Sequence, residues 1–390
     1  MIRPPGSPWV HVAQAAAALA AAMGIGRFVY TPILPLMTAQ AGLTPEAGAS
    51  LATANYVGYL VGAVAGFVVP GLVRSSAVYR GSLVLLVGTL AAMPLTHSTT
   101  IWLVLRLLAG VASALVFVAA VNALLSHLRG RFVGWGMGGV GVGIALSGVL
   151  VLALRPVAGW QAAWWATAAL AAVLAAAAWT LRPQPPPAAA VDASASHRWF
   201  WVLFVSYTLE GVGYIIAGTF LVAAINQNSP GWLGSGAWVL VGLAAVPSPA
   251  LWARLGRRWT GADLLLAALV VQAVGIALPA LVGGTAAAMI AAFLFGATFL
   301  GVASLALAAG THLRFPRAVA LLTAGYSAGQ ILGPLVVTPL LRNGYHLALV
   351  VASAVVLVAA AAAGVLRIGY PGGKPTLNTR SSQAISGTRR

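Results

Sequence analysis

The chain has 390 residues, of which 61% are apolar and only 6% are charged. Soluble domains contain about 25% charged residues, and four acidic side chains cannot give a chain of this length a hydrated surface. A soluble globular protein is therefore excluded. The absence of cysteine also excludes disulfides, thiolate metal sites and thiol nucleophiles.

Apolar runs of about 20 residues, the length that crosses a bilayer as a helix, recur along the whole chain. They predict an all-α polytopic membrane protein with twelve transmembrane helices in two pseudo-symmetric bundles of six. A β-barrel is not expected, because barrel strands are short and alternate in polarity. The predicted spans, with boundaries good to about four residues, are roughly 11–37, 52–72, 81–96, 100–126, 132–154, 160–181, 199–224, 235–253, 263–282, 285–311, 318–341 and 346–368.

The basic residues are distributed unevenly over the predicted loops. With the N-terminus placed on the inner side, seventeen of the 21 lysines and arginines lie in inner segments. The outer segments contain only Arg155 and Arg342. Positively charged loops stay cytoplasmic, so we predict a multi-pass protein of the bacterial cytoplasmic (inner) membrane with both termini in the cytoplasm. These residues then meet lipid headgroups, and no nucleic-acid partner is expected.

A proline-rich segment divides the chain into two similar halves. We predict an N-terminal bundle over residues 1–181, a cytoplasmic linker over 182–198, a C-terminal bundle over 199–368 and a disordered cytoplasmic tail over 369–390. The letters of Gly110–Ser113 recur as Gly301–Ser304 in the corresponding span. Such duplicated halves place a binding site between them, near the middle of the membrane, and rock to expose it alternately to each side.

Small residues repeat at four-residue spacing in several spans. This spacing lets helices pack closely in lipid, and static packing is the simpler interpretation. The alternative is that the glycine stripes are faces along which the two halves slide, with a hinge where proline weakens a helix. The residues selected for packing or hinge roles are Gly24, Gly26, Gly139, Gly143, Gly148, Gly325, Gly329, Gly333 and Pro334.

Three ionisable residues lie well inside predicted spans: Arg27, Arg106 and Glu210. A charge at the centre of a membrane helix costs roughly 2.5 to 3.5 kcal/mol, so each is a candidate functional group. One alternative is a structural ion pair between Arg27 and Glu210. The other is a polar cavity, in which two cations and one acid leave a positive charge for an anionic ligand.

Polar neighbours at helical spacing support the cavity interpretation. Tyr207 and Tyr214 share a helical face with Glu210, although each polar side chain could instead make an interhelical hydrogen bond. Gln272 stands alone, and packing explains it better. The remaining candidates for binding or coupling are Tyr30, Thr31, Asn55, Tyr59, Tyr326 and Gln330.

Parts required for enzymatic chemistry are missing from the sequence. It has no cluster of metal ligands, no phosphate-binding glycine loop and no second buried acid beside Glu210. We therefore expect no metal, no cofactor and no enzymatic activity. Uphill transport would then depend on a gradient, and Glu210 is the candidate proton carrier.

The first span, from Gly24 to Met37, resembles the signature of the YbfB/YjiJ family of the major facilitator superfamily (MFS). The resemblance continues over nearly the whole chain and implies the MFS fold, with spans 1, 4, 7 and 10 lining the cavity. Arg106 and Gly110 are similar to the arginine motif of the fourth span, which is associated with proton coupling in some members. The motif of the gating loops is matched in part by Arg74, Arg80, Arg254, Gly256, Arg257 and Arg258.

These observations predict a secondary transporter, expected to be monomeric, that moves a small organic anion or zwitterion by alternating access, with proton coupling as one option. Arg27 would hold a carboxylate with help from Tyr30 and Tyr214, and Arg106 would assist binding or coupling. The nearest alternative is a proton antiporter that exports a drug or metabolite. A second alternative is a membrane sensor that retains the fold without transporting.

Overall fold

The computed structural model describes residues 8–127, 131–183, 197–229, 231–315 and 317–369. Every regular element within these ranges is helical, as predicted. Eleven helices are long and apolar enough to cross a membrane, or twelve when one bent pair is counted as a single span. Most of the predicted linker and nearly all of the predicted tail lie outside the described residues.

Sixteen α-helices in these ranges form two halves that are joined by the segment between residues 183 and 197. The first half contains α1 (Pro8–Leu19), α2 (Tyr30–Ala41), α3 (Pro45–Val68), α4 (Pro70–Arg74), α5 (Ser76–Ala92), α6 (Thr99–His127), α7 (Arg131–Met137), α8 (Gly139–Leu154) and α9 (Trp160–Ala178). The second half contains α10 (His197–Asn228), α11 (Leu233–Ala245), α12 (Ser248–Leu255), α13 (Gly261–Leu281), α14 (Gly284–His312), α15 (Ala318–Val337) and α16 (His346–Gly369).

Four of the predicted spans are interrupted. The first passes from α1 through a π-helical turn, Ala20–Ile25, into α2. The second ends at Val68, earlier than predicted, because Pro70 starts the short helix α4 and its missing N–H cannot continue α3. The fifth breaks at Gly138, between α7 and α8. The eighth bends by 42° between α11 and α12, next to Pro247 and Pro249.

Local sequence signals explain where helix α3 begins. Gly42, which ends the preceding helix, has φ of 67°, a left-handed conformation that glycine adopts without steric cost. Thr44 Oγ1 accepts a hydrogen bond of 3.2 Å from the backbone N–H of Ala47, and Pro45 occupies the first helical position. Both are common at helix starts, because the first N–H groups of a helix lack partners within it.

Most of the predicted glycine stripes pack within a half. An added methyl group at Gly24 would lie 2.7 Å from the backbone carbon of Gly143, so α8 is in direct backbone contact with the first span. Gly325 lies against the side chains of Phe204 and Thr208 of α10. These contacts are those of static packing. The sliding-face interpretation matches Gly148, which meets Val239 of the other half, but not the stripes as a whole.

Successive spans run in opposite directions, so the order of the helices places each end of a span at one of two faces of the bundle. We call the face where α9 ends and α10 begins the linker face. Arg155 and Arg342 lie at the opposite face, where Arg342 Nε is 3.3 Å from Glu46 Oε1. The described arginines at the linker face include Arg74, Arg80, Arg182, Arg198, Arg254, Arg257, Arg258, Arg314, Arg317 and Arg367.

Candidate functional site

The break in the first span places Arg27 inside the bundle. After the π-helical turn Ala20–Ile25, the chain follows irregular turns until α2 begins at Tyr30. In a regular helix the N–H of residue 32 would bind the carbonyl of Phe28, but Pro32 has no N–H. The N–H of Thr31 binds this carbonyl, at 3.2 Å. π-helical segments and freed carbonyls within a membrane occur where neighbouring groups satisfy the backbone, and they are frequent at functional sites.

Arg106 of α6 satisfies the carbonyls at this break. Its Nη1 donates to Gly26 O at 3.1 Å and its Nη2 donates to Arg27 O at 3.2 Å. The guanidinium also lies over the ring of Tyr30, 5.0 Å from the centroid, and only 1% of Arg106 is exposed. Arg106 therefore stabilises the irregular backbone that carries Arg27, and its outer two nitrogens are already engaged by protein.

The side chain of Arg27 connects the two halves. Its Nη2 donates to Gln330 Oε1 on α15 at 2.6 Å, and 3% of the residue is exposed. The guanidinium carbon lies 4.2 Å from the ring centroid of Tyr59, 5.1 Å from that of Tyr56 and 5.6 Å from that of Phe28. Ring faces attract a desolvated cation, and such contacts contribute up to about 2 kcal/mol.

No carboxylate neutralises Arg27 within the described part of the chain, and its Nε has no hydrogen-bond partner there. Arg27 thus combines full burial, neutral partners and an unused donor. A buried charge is normally paired, so this site has the electrostatic character of one that accepts an anion.

Of the two alternatives, the ion pair between Arg27 and Glu210 does not form in the described structure. Glu210 is 0% exposed and accepts a hydrogen bond of 3.1 Å from Gln272 Nε2 on α13, inside the second half. Its other oxygen, Oε2, has no hydrogen-bond partner among the described residues. Gln272 therefore makes an interhelical hydrogen bond to a residue 62 positions away, a partner that linear spacing does not indicate.

A file of aromatic rings extends from the second half to Arg27. Tyr207 stacks on Tyr326 at 4.4 Å between centroids, and Tyr326 stacks on Tyr214 at 5.5 Å. Tyr214 then stacks on Phe299 of α14 at 5.9 Å. Phe299 lies 6.1 Å from Phe28, the residue next to Arg27. The three predicted tyrosines of this region therefore lie together.

Hydrogen bonds close the contact between the halves beyond Arg27. Thr31 Oγ1 donates to Gly218 O at 2.5 Å, and the hydroxyl groups of Tyr56 and Thr219 are 2.8 Å apart. At the opposite face Arg155 Nη1 donates to Asn226 Oδ1 at 3.3 Å and to Gly231 O. Because each bond joins the first half to the second, the halves are held together on this side of Arg27.

The other predicted residues have local partners or lie at the surface. Tyr30 donates to Gly48 O at 2.9 Å, and Asn55 Nδ2 donates to Arg106 O at 2.9 Å. Arg80 Nε donates to Trp179 O at 3.3 Å. The remaining residues predicted for gating loops, Arg74, Arg254, Gly256, Arg257 and Arg258, are exposed at the linker face.

Sequence reasoning passed over three residues of the site: Phe28, Thr219 and Phe299. Tyr56 belongs to the same group of polar residues in the second span as Asn55 and Tyr59, and it contacts Arg27. Thr219 and Phe299 gave no usable signal, because isolated threonine and phenylalanine are common in membrane helices.

Residues 19–364 match the family model described as "Uncharacterised MFS-type transporter YbfB". The chain belongs to this family. No protein of curated function matches the sequence. Among solved structures, a mutant of the nucleoside transporter NupG has the same fold, with a TM-score of 0.69 and 13% sequence identity over 92% of this chain and 99% of that one.

Membership in the YbfB-type family confirms the MFS transporter expected from the first span, and the structural match confirms the fold. Members of this superfamily act on small-molecule substrates in membranes. At 13% identity the likeness to NupG concerns the fold alone.

Proposed function

We propose that this YbfB-type protein is a secondary active transporter that moves a small organic anion or zwitterion by alternating access. Arg27 binds the carboxylate or equivalent anionic group of the cargo. Tyr59 and Tyr214 complete the site from both halves. Proton coupling is part of the proposal, since the chain offers no nucleotide-binding loop and a gradient must supply the free energy.

The observation that carries this proposal is the pairing of Arg27 with Gln330 instead of a carboxylate. An amide oxygen satisfies one donor but does not neutralise the charge, so an entering anion would gain both a hydrogen bond and an ion pair. The desolvation free energy of Arg27 is lost on folding, before the cargo binds. Binding energy therefore remains for the cargo, which would displace Gln330.

The contacts between the halves support alternating access. Cargo that replaces Gln330 would break a bond joining α2 and its preceding turn to α15, and bonds such as Thr31 to Gly218 would break when the halves separate. We propose that these bonds, together with the pair of Arg342 and Glu46, hold the present conformation closed at the opposite face. The exposed arginines of the linker face would take part in gating there.

We also propose an orientation in the membrane. The described basic residues cluster at the linker face, and basic segments remain on the cytoplasmic side during insertion. The linker face would thus be cytoplasmic, in the inner membrane of a bacterium, with both termini on that side. The transporter would work as a monomer, because the proposed site is formed entirely by one chain.

Flux into proteoliposomes tests the proposal. Purified protein reconstituted in sealed vesicles is expected to exchange a radiolabelled carboxylate or amino acid across the membrane, and Arg27→Gln is expected to abolish exchange. Lys374→Gln, in the predicted cytoplasmic tail, serves as a control for loss of charge alone. If a broad panel of anions and zwitterions shows no protein-dependent flux, the transport proposal is contradicted, and the non-transporting sensor is the alternative to pursue.

The aromatic file supports a second candidate, the export of an amphipathic drug-like compound. Stacked rings favour planar apolar cargo, and they lie next to the cation of Arg27. NupG is a nucleoside transporter, so nucleosides belong in the same panel. Vesicles with an imposed proton gradient would distinguish the candidates: export requires cargo and protons to move in opposite directions.

A further inference from the structure

Of the acidic residues that the structure describes, Glu210 alone is buried. Glu46 and Asp263 are partly exposed and pair with arginines at 3.3 Å and 2.5 Å. Glu210 forms no such pair, since no basic group among the described residues lies within 4.0 Å of its carboxyl oxygens. An ionised carboxylate in this position would have neither water nor a counter-charge.

The polar atoms of Glu210 and Gln272 lack one hydrogen-bond donor. Gln272 Nε2 donates to Glu210 Oε1 at 3.1 Å, which uses one oxygen of the carboxyl group. The second oxygen, Glu210 Oε2, and the amide oxygen of Gln272 are both buried without partners in the described structure. Both orphan atoms are acceptors. A single proton on Glu210 Oε2 turns this oxygen into a donor, and Gln272 Oε1 can accept its hydrogen bond.

Among the residues that the structure describes, no charged group near Glu210 would take the place of this proton. The described groups that interact with it electrostatically are the phenols of Tyr207 and Tyr214 on its own helix and of Tyr326 on α15. Helix α13 contributes the neutral Gln272. Helix α16, which packs against the same part of α10, faces it with apolar residues such as Ala352 and Val356.

We infer that Glu210 and Gln272 form a proton-binding site inside the second half, in which Glu210 carries a proton at neutral pH and donates it to Gln272 Oε1. The two side chains then form the doubly hydrogen-bonded ring of a carboxylic acid and an amide. Loading and release exchange one proton with water, and no other bond changes. Use of this proton for coupling rests on the proposed function, whereas its presence does not.

The site has a geometric consequence for coupling. Glu210 lies on α10 and Gln272 on α13, so both move with the second half when it rocks against the first. Separation of the halves alone therefore does not break the pair. Release requires water to reach Glu210, and Tyr326, which is only partly buried, is one neighbouring residue with access to the surface.

Infrared spectroscopy of the purified, reconstituted full chain tests this inference directly. A protonated carboxyl group has a carbonyl stretch that an ionised one lacks, and the chain has only four acidic side chains. We expect this band at neutral pH in the wild type, and we expect Glu210→Gln to remove it. The exposed-site variants Glu46→Gln and Asp263→Asn are matched controls that should leave the band unchanged.

The partner is tested by Gln272→Leu, with Gln272→Met as a second apolar variant if the first does not fold. Loss of the amide should shift the band frequency, because the carbonyl stretch responds to hydrogen bonding. Absence of the band at neutral pH in the folded wild type, or its persistence in Glu210→Gln, would overturn the site. An unshifted band in a folded Gln272 variant would overturn the pairing. Neither result depends on transport, so a failure of the proposed function is separately visible.

Discussion

Arg27 Nη2 donates to Gln330 Oε1 across 2.6 Å, although the two residues are 303 positions apart and belong to different halves of the chain. The bond makes a buried cation part of the contact between the halves. Gln330 provides a hydrogen-bond acceptor but no negative charge, so the charge of Arg27 remains unneutralised. A ligand that brings a carboxylate can therefore change both the electrostatics of the site and the contact between the halves.

Substituting the partner tests this relationship. Gln330→Glu would place a carboxylate where the cargo's anionic group is proposed to bind, so the protein would carry an internal competitor. We expect anion affinity to fall more than about tenfold, equivalent to about 1.4 kcal/mol, while the melting temperature rises because Arg27 is neutralised. Ligand-induced thermal shifts and a melting curve measure both quantities.

The control for that experiment is Gln330→Leu, which removes the hydrogen bond without adding charge. It should lower the melting temperature and leave anion binding in place, since the cation stays free. Equal anion binding by the Gln330→Glu variant and the wild type would contradict a shared site.

Arg106 is expected to contribute mainly to the stability of the fold, and less to cargo binding. Its two hydrogen bonds hold the carbonyls of Gly26 and Arg27, and hydrogen bonds that involve a charged group contribute about 1.5 to 3 kcal/mol each. Arg106→Gln should therefore lower the melting temperature markedly, and Arg106→Lys should do so less, because a single ammonium can replace part of the fork. Melting temperatures of both variants in detergent equal to that of the wild type would refute this structural role.

The closed contact at the opposite face can be tested with thiols, because the chain has no cysteine of its own. In the double variant Glu46→Cys, Arg342→Cys, a short bifunctional thiol reagent should connect the halves where the wild-type pair lies 3.3 Å apart. Flux is expected to stop after cross-linking and to return when a cleavable linker is cut. The single variants, treated identically, control for labelling. Full flux in the cross-linked protein would contradict opening at this face.

Glycine contacts between the halves give a further prediction. An added methyl group at Gly141 of α8 would lie 2.6 Å from Val246 N and 2.7 Å from Gly242 O, both in the second half. Gly141→Ala should therefore weaken the contact between the halves and lower the melting temperature, which thermal unfolding in detergent measures. Gly364→Ala is the matched control, since nothing lies within 4 Å of its added methyl group. The control should fold as well as the wild type or better, because alanine favours helix by up to about 1 kcal/mol.

Sequence reasoning predicted the helical fold because the spans are long and apolar, and each such run has one structural solution in a membrane. It also selected Arg27 and Glu210, since a charge inside an apolar run is conspicuous. It could not predict their partners. Gln330 and Gln272 meet these residues through helix rotation and packing, which linear spacing does not determine.

The interruption of the first span had a partial signal. Pro32 and Pro35 mark a helix that cannot keep all its hydrogen bonds, yet the predicted span of roughly 11–37 was drawn as continuous. The π-helical turn before Arg27 depends on Arg106, which satisfies the carbonyls from another helix. Such a tertiary contact is invisible in the sequence of the span itself.

The central claim is that Arg27 binds the anionic group of the cargo. Its most direct test compares carboxylates with their uncharged amides, such as benzoate with benzamide and nicotinate with nicotinamide, in thermal unfolding of the wild type and of Arg27→Gln. A ligand at a hundredfold excess over its Kd stabilises the folded state by about 2.7 kcal/mol. We predict that at least one carboxylate, but not its amide, raises the melting temperature of the wild type, and that Arg27→Gln abolishes this shift. An equal shift by the amide, or a shift that persists in Arg27→Gln, would contradict the claim.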